Sequence, residues 1–389
     1  MFNNTIKQIA PDVITWRRYI HSHPELGMEV WGTADYVEKI LRENNIEVIR
    51  FENMPAVVGI LKGGKPGKVI ALRADMDALP MQEEVDLPFK SVYDGKMHSC
   101  GHDMHTAILL GTAVTLAQHR EEVKGIVKFF FQPAEEGPNP GGALPMIKAG
   151  VMENPTVDAC FGMHVFPVGI PGGYSCKKGV VSSNSDTAVI KVIGKGGHGA
   201  TPDSAIDPIL VSMYIGIALQ SIVSRNVSPM DSAVVSIGSI HSGTVANIIP
   251  ASAEMKLSIR SFSNETREKL AKRIKEIAEG VSQSMGATCE IKYSYGYPMM
   301  VNNDKAVDYF VDIMGENRVM LGDKAMSGSE DFSYFLQKAP GAFIGLAAGY
   351  KDKQGFYNHH PKFNPNEDCL VYGIEAFVKL VMEQDKMDF

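Results

Sequence analysis

A chain of 389 residues is longer than one ordinary hydrophobic core supports, and the usual allowance of about 100 to 200 residues per domain predicts two domains. With 44% hydrophobic and 21% charged residues and no long low-complexity stretch, the composition excludes a disordered or fibrous protein. A net charge of -7 without a basic block excludes a nucleic-acid binder, because few phosphates could be neutralised, so small molecules are the expected partners.

The first residues carry Lys7, Asp12, Arg17 and Arg18 where a secretory signal needs an unbroken apolar run, and no later stretch approaches a membrane span. A cytoplasmic protein with no membrane partner is therefore expected. Residues 4 to 23 space Ile6, Ile9, Val13, Trp16 and Ile20 as one face of a helix, and residues 33 to 44 read as a second. Runs rich in β-branched and aromatic residues follow at 56–61, 68–74 and 125–132, with a helical pattern at 106–118 between them. That alternation predicts an α/β sheet with helices on both faces. From 187 to 292 the order becomes strand 187–193, helix 205–224, strand 233–240, strand 253–260, helix 264–284 and strand 287–293, a split βαβ pattern. Beyond it, 306–314, 332–336, the run AFIGLAAG and a helix over 368–383 return to the α/β style. The expected organisation is one α/β domain, residues 1–182 and 294–389, interrupted by a smaller α+β domain at 183–293. Five cysteines, odd in number and widely scattered, argue against a disulfide framework and for a reducing compartment.

Chemistry concentrates in a few places. HSCGHDMHTA (98–107) sets three histidines, a cysteine and an aspartate directly before a helical pattern. Thiolate and imidazole both bind first-row metals, and the single Gly101 between Cys100 and His102 permits a tight turn that aims both inward. In FFFQPAEEGP (129–138) an apolar strand ends in two adjacent carboxylates. Strand ends are where open α/β sheets place their sites, and adjacent side chains diverge, so one glutamate can ligate a metal while the other acts as general base. His164 in CFGMHVFP, and His359 with His360 in FYNHHPKF, offer the further donors such a site needs. In RADMDALPM (73–81), Asp75 or Asp77 is a ligand, a partner that orients one, or a turn former before Pro80. A different chemistry would make Cys100 a nucleophile activated by His102 or His105, but it leaves Glu136, His164 and His359 without a role.

Together with HPELG (23–27), GGHGATP, IIP and MSGSEDF, these motifs in this order resemble the M20 metallopeptidase family over nearly the whole chain. Within it the chain is most similar to the amidohydrolase branch of hippurate hydrolases and related N-acyl amino acid amidohydrolases. The resemblance implies a zinc-peptidase-like catalytic domain with an inserted ferredoxin-like lid that mediates dimerisation. It also implies two divalent metal ions per subunit (Mn or Zn, or else Co or Ni), a homodimer or homotetramer, and a small N-acyl amino acid as substrate. Carried over by motif, the ligands are Cys100, His102, Glu136, His164 and His359, the last chosen over His360 because the branch's His stands two places before a small residue such as Pro361. Glu135 becomes the general base, and Asp77 orients a histidine ligand or tunes the base. His198 of GGHGATP reaches from the lid into an active site, commonly the partner subunit's, to stabilise the oxyanion, while Asn247 and Arg260 meet the substrate carboxylate. Peptidases of the wider family bridge their metals with an Asp, whereas this chain presents Cys100. An M20-type dipeptidase or carboxypeptidase, or a non-catalytic homologue that binds an acyl amino acid, are the alternatives.

Overall fold

The computed structural model describes residues 2–137, 139–352 and 354–389, so Pro138, the last residue of FFFQPAEEGP, lies outside the described residues. The chain forms two units, the larger from Met1–Val181, Val301–Lys324 and Asp331–Phe389, the smaller from Ser182–Met300 and Ala325–Glu330.

The larger unit begins with α1 (Phe2–Ser22), whose buried Ile6, Ile9, Val13, Arg17 and Ile20 recur at helical spacing, and α2 (Trp31–Glu43). Strands β1 (Glu47–Phe51), β2 (Met54–Lys62) and β3 (Lys65–Asp75) lead to α3 (His102–Gln118). Every residue of α3 from His102 to Leu116 is buried. A helix enclosed on all sides needs no polar face, and α3 packs against both α1 and β3. It starts one turn earlier than apolar spacing predicts, because its first turn consists of the polar residues of the HSCGHDMH motif. Strands β4 (Lys124–Gln132), β5 (Ala159–Phe166) and β6 (Tyr174–Cys176) complete this part.

The chain then builds the smaller unit from β7 (Asp186–Ile193), β8 (Gly197–His198), α4 (Pro208–Arg225), β9 (Ala233–His241), β10 (Ile248–Ile249), β11 (Ser252–Ser261), α5 (Asn264–Ser284) and β12 (Thr288–Ser294). Four of these strands form an antiparallel sheet in the order β9-β11-β7-β12, and β8 pairs separately with β10. Buried Ala188, Ile190 and Val192 on β7 alternate with more exposed neighbours, and they meet Val211, Ile215 and Leu219 of α4 and Leu270, Ile274 and Ala278 of α5 in one core. Helix α4 begins at 208 rather than 205, because Asp207 caps it by accepting from the Ile209 and Leu210 amides and Pro208 supplies a first-turn residue that needs no donor.

On its return the chain forms α6 (Asp304–Met314), β13 (Val319–Leu321), β14 (Gly341–Ala347) and α7 (Cys369–Met382), the last packed on α3. The larger unit's eight-stranded sheet runs β1-β2-β4-β3-β5-β14-β6-β13. It is mixed: β3 lies parallel to β4 and β5, and β14 to β5, while β1/β2, β2/β4 and β14/β6 are antiparallel. The fold is thus α/β with an inserted α+β unit.

Parallel pairing sets the carboxyl ends of β3 and β4 side by side, with Asp75 opposite Gln132. Between them lies Arg73, fully buried, which donates from Nε to Gln132 Oε1 at 2.9 Å, from Nη1 to Asp75 Oδ2 at 2.6 Å and from Nη2 to Asp331 Oδ1 at 2.9 Å. Asp331 accepts in addition from Gln132 Nε2 at 2.8 Å and from the amides of Gly142 and Ala143 at 3.1 and 3.0 Å. Breaking a buried ion pair from one side strands the remaining charge. Asp331→Ala should therefore destabilise the protein by about 3 to 5 kcal/mol, seen as a lower urea midpoint, and an unchanged midpoint would remove the network from the fold's supports.

Candidate metal centre

The ligand motif sits where the chain turns from loop into α3. Gly101 adopts φ +100°, and a Cβ there would lie 2.3 Å from Val165 Cγ2, so a glycine is required both by the backbone angle and by the close approach of β5. This turn sends the Cys100 and His102 side chains to the same side. Cys100 Sγ lies 3.3 Å from His164 Nε2 and 3.3 Å from His359 Nε2. His359 Nε2 also meets Glu136 Oε1 at 2.7 Å. Among the described residues five groups could hold a metal; two of them, Cys100–His102–His164 and Cys100–Glu136–His359, share the cysteine, and a third joins His102 to Glu135 and Glu136. All five side chains expected as ligands are brought together.

Each donor is held from behind. The Nδ1–H of His164 donates to Val165 O at 2.8 Å, which leaves the Nε2 lone pair facing Cys100. Burial, then the neighbouring His105, hold His164 well below the ordinary histidine range, so it is a neutral donor. His102 turns Nδ1 towards Asp77 Oδ1 at 3.3 Å and Nε2 towards Asp75 Oδ2 at 3.6 Å, and neither buried nitrogen makes a hydrogen bond. Asp77 also accepts the amides of Glu135 and Glu136, one on each oxygen at 3.0 Å, and so ties the paired glutamates to a histidine ligand. These two glutamates diverge: Glu136 goes to His359, whereas the buried Glu135 Oε2 stops 3.9 Å from His102 Nε2. Two non-glycine residues at positive φ flank this arrangement, Ala134 at 56° and His359 at 64°, in the left-handed region that such residues adopt at a cost. Asn358 pins the second of them by donating to Cys100 O at 2.9 Å and Val165 O at 3.3 Å.

The donors create a negative field. Hydrogen bonds to Cys100 and then Glu136 push His359 up to about 10. Burial opposes charge on His102, yet Asp75 and Cys100 outweigh it and raise that ring well above the ordinary range. A soft thiolate, three imidazoles and a carboxylate around an unbonded ring nitrogen fit a first-row divalent cation, whose charge would replace the two imidazolium protons.

His105, the third histidine of the motif, has both ring nitrogens engaged. The Val165 amide donates to its Nε2 at 2.9 Å, so its proton sits on Nδ1 and donates to Asp75 Oδ1 at 2.6 Å. That commitment of both nitrogens removes His105 as an activator of the thiol. Burial pushes the Cys100 thiol up rather than activating it. Asp75 is accordingly an orienting partner, with Arg73 on its other oxygen. Asn358 had no sequence signal, since an asparagine beside two histidines resembles any loop residue. All five cysteines are free thiols.

The remaining expected site residues belong to the smaller unit. His198 is exposed on β8, opposite Ile248 of β10, and its Nδ1 accepts the Ala200 amide at 3.0 Å, which leaves the ring proton of a neutral imidazole on the outward Nε2. Asn247 is its neighbour, with its carbonyl accepting the Gly199 amide at 2.8 Å. Arg260 is half-buried on β11, on the face opposite the core residues Ala253, Met255, Leu257 and Ile259. Burial lowers its pKa, against Asp186.

The pattern of the peptidase family M20/M25/M40 matches residues 71–383. The chain is 42% identical over 383 residues to thermostable carboxypeptidase 2 of Saccharolobus solfataricus, covering 98% of this chain and 97% of that protein. It is 40% identical over 371 residues to hippurate hydrolase of Campylobacter jejuni, with 94% and 95% covered. Among solved structures, a Bacillus subtilis dinuclear metal binding peptidase from the M20 family superposes with a TM-score of 0.83 at 34% identity, over 98% of this chain and 99% of that one.

Gly101→Ala combines the φ penalty with the clash on Val165. It should cost about 1 to 3 kcal/mol of stability in urea unfolding and weaken Zn or Mn uptake in a calorimetric titration. Wild-type metal affinity in this variant would show that the turn does not aim the ligands.

Proposed function

The chain belongs to the peptidase family M20/M25/M40, and from that premise we propose that it is a cytoplasmic metal-dependent amidohydrolase that cleaves N-acyl amino acids to a carboxylate and a free amino acid. The observation that carries this reading is the convergence of Cys100, His102, Glu136, His164 and His359 on two triads that share the cysteine, with Glu135 beside them. Cys100, His102, Glu136, His164 and His359 would together hold two divalent ions, Mn or Zn or else Co or Ni. In this reading the larger unit is the catalytic domain and the smaller a lid through which two copies pair; the smaller unit, Ser182–Met300 with Ala325–Glu330, extends past the 183–293 expected from the sequence.

Bound ions would polarise the amide carbonyl and acidify water, the chemistry metals supply in hydrolases. Glu135, buried beside the ligands, takes the proton of the attacking water and returns it to the leaving nitrogen. Asp77 keeps that carboxylate in place through the Glu135 amide and keeps His102 Nε2 aimed inward through Nδ1. His198, with its Nε2–H directed outward, donates to the developing oxyanion of the partner's substrate. Asn247 and Arg260 receive the carboxylate of the amino acid half. Likeness to a carboxypeptidase favours C-terminal peptide bonds as a second substrate class for the same chemistry, so a substrate screen should contain both.

Exhaustive chelation should abolish turnover and added Mn or Zn restore it, with up to two ions per chain by elemental analysis. Glu135→Gln should keep the metals yet lose about a hundredfold or more in kcat, whereas Glu136→Gln should lose metal. Near wild-type turnover by Glu135→Gln at saturating metal would refute its role as base.

Activity should also depend on pairing. His102→Ala and His198→Ala should each be nearly inactive, and mixing them under conditions of subunit exchange should restore turnover, because one site of the heterodimer then has both parts. Confirmed exchange without returning activity would confine His198 to its own chain or to a loop role.

A further inference from the structure

A buried group of charges inside the larger unit centres on His21, in the last turn of α1, which is enclosed together with Arg17, Glu83 and Asp103. The His21 Nδ1 lies 2.8 Å from Asp103 Oδ2 and its Nε2 lies 3.1 Å from Glu83 Oε1. Carboxylates only accept, so both bonds exist together only when both ring nitrogens carry protons, and the ring is an imidazolium. His105 differs in this respect, because the Val165 amide donates to its Nε2 and leaves that ring neutral. His21 faces Arg17 on its own helix, Glu83 on the loop after β3, Asp103 on α3 and His98 before α3, with Glu367 beyond Arg17 at 3.2 Å. Burial and Arg17 oppose the charge, yet Asp103 and Glu83 outweigh them and raise the ring above the ordinary histidine range. Burial pushes His98 down to about 3, so it adds no charge. Arg17 Nε also meets Asp103 Oδ2 at 2.7 Å, which sets two cations against two carboxylates.

The two carboxylates belong to segments that lead to different ligands. Asp103 follows His102 directly in the first turn of α3. Glu83 accepts the Ser91 amide on Oε2 at 2.7 Å, and the next residue, Glu84, donates its amide to Pro361 O at 2.9 Å. Pro361 stands two residues beyond His359. One ring thus joins the start of α3 to the loop that backs the His359 segment, and those two histidines belong to the two triads that share Cys100.

We propose that His21 is a positioning residue for the metal centre, a charged clamp that holds the His102 and His359 segments in place without touching either ligand. The proposal rests on the metal-centre reading above. A neutral ring could donate to only one of the two carboxylates and would turn a lone pair on the other, in a place where an unpaired charge is costly. Groups that stand behind metal ligands change metal affinity by about 10- to 100-fold.

Three measurements test this. Nitrogen-15 spectra of metal-free, histidine-labelled protein, with the His21 signal assigned by its loss in His21→Asn, should show both ring nitrogens protonated at neutral pH; a neutral ring would overturn the clamp. The amide nitrogen that His21→Asn introduces falls near Nδ1 and can still serve Asp103, whereas that of His21→Gln falls near Nε2 and can serve Glu83. Hydrogen–deuterium exchange of the metal-free variants should therefore accelerate over 356–364 in His21→Asn and over 98–108 in His21→Gln, with α6 (Asp304–Met314) unchanged in both. In calorimetry, zinc affinity should fall by at least about tenfold in each variant. Unchanged exchange in both segments with wild-type zinc affinity, or acceleration that spreads equally over α6, would make His21 an ordinary packing residue and overturn the proposal. If the wild type takes up no zinc, the metal-centre reading fails by itself, and exchange still decides: acceleration confined to the two segments supports the clamp, and its absence overturns it.

Discussion

Arg73 is fully buried on β3, and its guanidinium is divided between Gln132, Asp75 and Asp331. Such a cation would be strongly destabilising alone, and its partners repay the desolvation without a large surplus. Its consequence is positional. Through Asp75 it fixes His105, which accepts the Val165 amide and thereby sets the strand end whose carbonyl holds His164. Through Asp331 it fixes the Gly142 and Ala143 amides, which close the loop that carries Glu135 and Glu136. One charge therefore aligns two of the segments that supply donors.

A second layer works through Asp77. Its two oxygens accept consecutive amides, and the same carboxylate faces the Nδ1 of His102. Adjacent glutamates on one loop diverge, and with both amides fixed it is Glu136 that reaches His359 and Glu135 that turns towards His102. Burial pushes Asp77 upward in pKa, and the bond to His102 opposes that shift.

Relatives bearing the names carboxypeptidase and hippurate hydrolase stand at nearly the same identity to this chain, 42% and 40%. A shared ligand set does not choose between their substrates, since function resides in the site's walls as well as its chemistry.

Dense donor motifs and period-2 or period-3.6 apolar spacing act locally, and for that reason the α/β order, the inserted split βαβ unit and the cluster of donor residues were legible in the residues themselves, whereas the choice of Glu136 over Glu135 and of His359 over His360 came from the family resemblance. Helix α5 was placed at 264–284 from its pattern alone, aided by the Ser263 cap. Strands of three to five residues such as β1, β6 and β13 escaped notice, because so short a run carries too little periodicity. The role of His105 also needed the tertiary structure: in sequence it is equivalent to His102, and what separates them is that Asp75 and the Val165 amide take both nitrogens of one and not of the other. Residue type determined which side chains are able to bind a metal; pairing of β3 with β4 and β5, which sets residue 75 opposite 132 and residue 73 opposite 162, decided which of them meet.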